Sequence, residues 1–216
     1  MKRQFAVIGL GRFGASLART LFSMGYDVLA IDVDPERVQE LAKDITHTVE
    51  GDAGEEETLR AVGIRNFDTV IVAIGQDIQS SILTTVLLKE LGVANVIAKA
   101  QNELHAKVLY KVGADKVVFP ERDMGVRVAR NLVSTNVVDF IQLSPDYSIV
   151  EIEAEGNWEG KSLRELAFRA RFGVNVLAIK REERLLASPG ADDTVRKGDV
   201  LVVMGRNDSI NRLEHI

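Results

Sequence analysis

Short aliphatic runs alternate with stretches whose apolar positions recur at helical spacing through the first half of the chain. The runs are Phe5-Ala6-Val7-Ile8, Val28-Leu29-Ala30-Ile31, Thr69-Val70-Ile71-Val72-Ala73, Val96-Ile97-Ala98 and Val117-Val118-Phe119, and His47-Thr48-Val49-Glu50 reads as a short, more polar strand after the second. Between them, Leu17, Ala18, Leu21 and Phe22 mark one helical stripe. Val38, Leu41 and Ala42 mark a second, opened by Pro35 at a first helical position. Glu55-Glu56-Glu57 starts a third helix, where acids suit the positive end of the dipole. Further helices are predicted from about Ile78 to Leu91 and from Leu104 to Val112. Strands that are apolar throughout are covered on both faces. Six strands alternating with helices predict an α/β fold, a Rossmann-like doubly wound parallel sheet. Such sheets bind ligands outside the carboxyl ends of their strands. Those ends are Gly9, Asp32, Asp52, Ala73 to Gly75, Lys99 and Glu121.

The alternation then changes. Arg122 to Leu132 reads as one helix striped by Met124, Val128 and Leu132, and Val137 to Leu143 reads as extended. Beyond the Ser144-Pro145-Asp146 turn come an extended run at Ile149 to Ile152 and a helix near Leu163 to Arg169. Val174 to Ile179, a hairpin around Arg181 to Glu183, Val200 to Met204 and a helix from Asn207 or Asp208 follow. This is a small α+β lobe. The expected division is a nucleotide-binding domain over 1–121, a crossover helix and linker over 122–143, and a second ligand-binding domain over 144–216.

The first strand feeds directly into Gly9-Leu10-Gly11-Arg12-Phe13-Gly14, and the second stops at Asp32, eighteen residues after Gly14. Strand, glycine turn, helix, strand and acid together form the dinucleotide fingerprint. Gly9 permits the turn, Gly11 lets backbone N–H groups approach a pyrophosphate, and Gly14 lets the helix pack on the sheet. Phosphates then lie at a helix N-terminus. Asp32 suits the ribose hydroxyls. Val33 and Asp34 supply no cation, so a 2′-phosphate is expected to be repelled. The null alternative is a glycine loop that holds no ligand.

A net charge of −5 without a basic block argues against nucleic acid as a partner. Cysteine is absent, which removes disulfides, thiolate metal sites and cysteine nucleophiles. No apolar run approaches the roughly 18–20 residues that cross a bilayer, so a membrane role must come through a partner. Lys2 and Arg3 before an apolar stretch resemble a signal peptide, but Gly9, Gly11 and Arg12 interrupt it and it reads as the first strand.

A dinucleotide fold ordinarily suggests a dehydrogenase, and a small NAD-dependent oxidoreductase is the alternative function. Such an enzyme needs an acid/base group in its second domain. Here that domain's histidine is His215, next to the C-terminus, and the chain has no Tyr-x-x-x-Lys. His47 and His105 are as readily structural as proton-transferring. Fold alone confers no chemistry. The expectation is a sensor and not an enzyme.

Over its whole length the chain resembles the KtrA/KtrC-type RCK regulatory subunits of Ktr/Trk potassium-uptake systems. The resemblance rests on Phe5 to Gly14, Leu29 to Asp32, Gly63 to Phe67, Val70 to Gly75 with Asp77 to Gln79, Leu87 to Leu91, Lys99 to Asn102, Gly113 to Asp115 and Pro120 to Gly125. It continues through Tyr147 to Glu151, Arg169 to Gly173 and Leu201 to Gly205. It implies a homo-octameric ring of dimers, cytoplasmic and peripheral, docked on the cytoplasmic face of a KtrB-like membrane potassium-translocating subunit. It implies ATP or ADP in the first domain, with NAD(H) in some relatives, ATP favouring the conducting arrangement. Arg12 would read the γ-phosphate across a dimer interface, beside Phe13 in the same turn. Asp32, with Asp34 nearby, would hold the ribose, and Asp52 would lie by the adenine edge. Ala73, Ile74 and Gly75 would pack on the nucleoside, and Lys99 and His105 would lie near the phosphates. Glu121 would help to hold a Mg²⁺ or Ca²⁺ ion.

Many relatives carry Asn-Ala-Thr where this chain has Gly51-Asp52-Ala53-Gly54, and the added charge at Asp52 bears on the choice among ATP, ADP and NAD(H). The helix from Asp123 resembles a crossover helix that packs on a neighbour; an ordinary packed helix would show the same stripe. The small domain resembles one that binds cyclic di-AMP at its own dimer interface. There Arg169, Ala170, Asn175 and Pro189 match, with Leu163 and Leu166 as apolar walls.

Overall fold

The computed structural model describes residues 3–45, 47–133 and 137–214; His215 lies outside them. The chain divides into two compact units, Met1–Arg122 and Asp123–Ile216. In the first, strands β1 (Gln4–Ile8), β2 (Asp27–Asp32), β3 (His47–Glu50), β4 (Thr69–Val72), β5 (Val96–Lys99) and β6 (Lys116–Val118) form one sheet. It is parallel, in the order β3-β2-β1-β4-β5-β6. The order reverses between β1 and β4, which opens the crevice of a doubly wound sheet there.

The aliphatic runs divide by parity. Ala6, Ile8, Leu29, Ile31, Val70 and Val72 enter one core, while Val7, Val28, Ala30 and Ile71 enter a second. A period of two puts alternate side chains on opposite faces, so apolar residues at every position cover both. Helices α1 (Arg12–Ser23), α2 (Pro35–Leu41), α3 (Glu56–Ala61), α4 (Ile78–Glu90) and α5 (Glu103–Lys111) connect the strands. Short polar side chains start three of them. Asp34, Asp77 and Asn102 cap α2, α4 and α5 by accepting the N–H groups of Glu36, Ser80 and His105.

Helix α6 (Pro120–Val133) begins earlier than the sequence suggests, with Pro120 as its first residue. Proline suits that position because its missing N–H would be unpaired anyway. Glu121 therefore lies in the first turn of α6, not at a strand end. The segment expected as linker ends in strand β7 (Val137–Gln142), which pairs with β8 (Tyr147–Glu153), so the second sheet starts before residue 144.

The second unit is an antiparallel sheet ordered β10-β9-β11-β8-β7, with β9 (Asn175–Arg181), β10 (Arg184–Ala187) and β11 (Val200–Arg206). Trp158, Leu166, Phe168, Ile152 and Leu201 belong to its core, together with Leu213 of α9 (Asn207–Glu214). The helix expected near Leu163 to Arg169 is broken into α7 (Leu163–Leu166) and α8 (Phe168–Phe172). At the break Ala167 adopts φ 48°, ψ 42°. An ion pair between half-buried Arg181 and buried Asp199 ties β9 to the start of β11. Both nitrogens of the Arg181 fork reach Asp199, at 2.8 and 2.7 Å. Burial pushes the Asp199 carboxyl up, but the Arg181 fork and the Arg196 N–H outweigh it and hold the group below its ordinary range.

Candidate functional site

The glycine turn is built by close approaches. Gly9, at φ +91°, donates its N–H to the Ile31 carbonyl at 2.8 Å. A Cβ there would lie 2.9 Å from the Ile74 nitrogen. A Cβ on Gly14 would collide with the Gly9 carbonyl oxygen, so both glycines are required by the protein's own packing. Gly11 differs: a Cβ on it would meet nothing within 4 Å. It is also the N-cap of α1 without a side-chain cap, and the first turn of α1 has no acid. Open space over unclaimed N–H groups at a twelve-residue helix suits an anion.

Around this corner the expected residues converge from neighbouring strand ends. Ala73 donates its N–H to the Ile8 carbonyl at 2.7 Å, which sets Ala73, Ile74 and Gly75 beside the turn. Asp32, only 5% exposed, accepts the Leu10 N–H at 2.5 Å on one oxygen and the Asp34 N–H at 2.9 Å on the other. The Gly51 N–H bonds the Asp32 carbonyl at 3.0 Å and so brings the β3 end alongside. There Asp52 is exposed and accepts the Gly54 N–H at 2.8 Å. Arg12 is exposed as the first residue of α1, and Phe13 packs on the core.

Lys99 has a side chain 11% exposed and pairs with Glu121. That pairing holds the Glu121 carboxyl below its ordinary range. Gly75 leaves room for the ammonium: a Cβ at 75 would sit 3.4 Å from Lys99 Nζ. Among the described residues no group of three or more His, Asp or Glu side chains gathers where a metal could be held. With its carboxylate on Lys99, Glu121 alone is not a divalent-ion donor set. His105 is 3% exposed. Its Nδ1 accepts the Gln101 N–H at 3.3 Å, and burial lowers its pKa. With Nδ1 accepting, the ring proton of the neutral form lies on Nε2, which has no partner among the described residues.

A depression of about 600 Å³ beside Gln4, Asp27, Leu29, His47 and Phe67 lies at the opposite, amino ends of the strands. No lysine or arginine lines it, so it offers an anion nothing.

In the second unit the α7 start and the 189–193 loop are joined. The Leu163 N–H bonds the Asp193 carbonyl at 2.9 Å, and the Arg164 N–H bonds the Ala191 carbonyl at 2.7 Å. Half-buried Leu163 and Pro189 thus flank one seam, while Arg169, Ala170 and Asn175 are exposed on α8 and at the start of β9. Leu166 does not fit as a pocket wall. It is 2% exposed and packed in the core, on a helix opened by the Ser162–Glu165 capping box.

The TrkA-N domain model matches residues 5–120 and the TrkA-C domain model residues 147–216. Over 214 residues the chain is 50% identical to the Ktr system potassium uptake protein C of Bacillus subtilis (strain 168), covering 99% of this chain and 97% of that protein. The chain belongs to the KtrA/KtrC type of RCK subunit. It is also 38% identical to the Ktr system potassium uptake protein A of Vibrio alginolyticus, covering 99% of this chain and 98% of that one. The crystal structure of the GsuK RCK domain aligns with a TM-score of 0.56 at 24% identity, over 99% of this chain and 46% of that longer one, and bears on the fold. The GsuK structure bound to ADP aligns at 0.52 and 29% identity, over 61% of this chain and 34% of that one.

Two residues beside the glycine turn and Asp32 were not anticipated. Gln101 donates its side-chain amide to the Gly75 carbonyl and its backbone N–H to His105, bracing the β4 loop. Arg37 reaches both Asp32, at 3.5 Å, and Asp34, at 3.2 Å. Val33 and Asp34 supply no cation, but the first turn of α2 carries residue 37 back over Asp34. Asp34 itself is committed to capping α2 through Oδ1.

Proposed function

We propose that this chain is a nucleotide-gated regulatory subunit of a potassium-uptake system, and that it works by binding and not by turnover. The observation that carries the reading is the open space over Gly11 at the uncapped start of α1, with Asp32 fixed beside it. The GsuK structure bound to ADP, alike in fold over 61% of this chain, supports an adenine nucleotide as the ligand. ATP and ADP differ by a phosphate whose charge falls at Arg12. A ligand shifts a conformational equilibrium only by its differential affinity for the two states, and that charge supplies the difference. Arg12, exposed in the turn, reads it across the interface with a second copy in an octameric ring. The phosphates also compete with Glu121 for Lys99. The ring acts on a membrane potassium-translocating partner at its cytoplasmic face. Cyclic di-AMP inhibits through Leu163, Arg169, Ala170, Asn175 and Pro189 of the second unit. No step is routed through a divalent ion.

The test is a titration of the full chain with ATP, ADP, NADH and cyclic di-AMP, on wild type and Arg12→Ala, followed by potassium flux with a reconstituted membrane partner. We expect Arg12→Ala to erase the preference between ATP and ADP while ADP still binds. Flux indifferent to nucleotide would refute the reading. Oxidation of NADH over a panel of aldehydes and keto acids would point to the oxidoreductase alternative instead.

A further inference from the structure

Arg37 does more at the ribose corner than a helix surface requires. Its Nε lies 3.2 Å from Asp34 Oδ2, an ordinary pairing one helical turn apart. Its NH1 also lies 3.5 Å from Asp32 Oδ2, a carboxylate that two backbone N–H groups already satisfy. The two acids are held by main chain: Asp32 by Leu10 and Asp34 N–H, and Asp34 by the Glu36 N–H at 3.0 Å. The Arg37 side chain is 52% exposed, so its guanidinium stands between fixed acids and solvent.

We propose that Arg37 is a specificity-determining residue of this corner, setting how strongly the site discriminates a ribose 2′-hydroxyl from a 2′-phosphate. The proposal rests on nucleotide binding at the glycine turn. Two carboxylates without a cation would exclude a 2′-phosphate by like-charge repulsion. Arg37 offsets one of the two charges and presents a planar fork that matches phosphate oxygens. Arginines beside the acid position serve 2′-phosphates in other dinucleotide folds. A hydroxyl needs only the acceptor capacity of Asp32 and is indifferent to Arg37. The corner therefore prefers the hydroxyl but tolerates adenosine nucleotides phosphorylated at the 2′ position.

The experiment uses ADP and ADP bearing an added 2′-phosphate, each displacing a fluorescent ADP analogue from the full chain in chelator-treated buffer of fixed ionic strength. Wild type, Arg37→Ala and Arg37→Lys are compared, with thermal unfolding as a check on folding. In wild type the 2′-phosphorylated ligand displaces the probe at millimolar concentration or below. Arg37→Ala weakens that ligand about tenfold relative to ADP, while ADP itself changes less than about threefold. Arg37→Lys, which keeps the charge but loses the fork, restores only part of the ratio. An unchanged ratio in Arg37→Ala, or no displacement by the 2′-phosphorylated ligand in wild type, overturns the proposal while ADP binding leaves the broader reading standing. Failure of ADP to bind wild type removes both.

Discussion

At the scale of single residues, the three glycines of the turn separate what folding needs from what a ligand needs. Gly14→Ala would drive a methyl into the Gly9 carbonyl oxygen, and backbone there has little freedom to yield. We expect it to cost about 1–3 kcal/mol of stability, read from chemical denaturation. Gly11→Ala adds its methyl to open space. It should leave the unfolding midpoint nearly unchanged and yet weaken ADP at least tenfold, because the methyl occupies the phosphate approach. Equal losses of stability in the two variants would contradict this division. His105 adds a pH dependence. Its pKa is lowered by burial from an ordinary 6.5, so below that value the unfolded chain takes up a proton that the folded chain refuses. Stability is full above about pH 6.5 and falls as pH drops from there toward the lower folded value. In unfolding curves between pH 7.5 and 5, His105→Gln should show a shallower decline than wild type.

At the scale of elements, the sequence pattern reads well wherever period and cap agree. The central strands β1, β2 and β4 were legible because both of their faces are apolar, and α2 because Asp34 and Pro35 mark its start. The candidate site was legible as strand ends: Gly9, Asp32, Ala73 and Lys99 all lie where the pattern stops. What escaped was set by side chains returning from a neighbouring element. Arg37 reaches the ribose corner from the next helix, and the buried faces of His105 and Leu166 follow from packing that spacing alone does not specify. The break between α7 and α8 escaped for a different reason, since alanine normally favours helix and gives no sign of the left-handed turn. At Ala167, with φ 48°, a Cβ crowds the following carbonyl. Ala167→Gly should therefore stabilise the second unit by about 0.5–1 kcal/mol, after the entropic cost of glycine is subtracted. A lower urea midpoint in that variant would show that the methyl contributes more by packing than it costs by strain.

At the scale of the whole molecule, two separate cores carry two candidate ligand sites, and this makes the sites distinguishable without any mutation. The apolar clusters around the parallel sheet and the cluster around Trp158 share no residue. A ligand that binds only the folded form of one unit stabilises it by about 2.7 kcal/mol at a hundred times its Kd. Amide hydrogen exchange reads that gain strand by strand. ADP should slow exchange in β1, β2 and β4, where Gly9, Asp32 and the Ala73 loop gather, by roughly the hundredfold that this energy represents. Any accompanying change in β8, β9 and β11 should be much smaller. Cyclic di-AMP should reverse the pattern, protecting α7, α8 and the start of β9 and sparing the glycine turn. Protection by ADP concentrated in the antiparallel sheet would relocate the nucleotide site. Equal protection of both sheets would instead mean that the two cores open as one cooperative unit, with ligand energy passing between them in full. The graded outcome is the one a regulator requires, because a sensor that transmits part of its binding energy can be set by one ligand and adjusted by another.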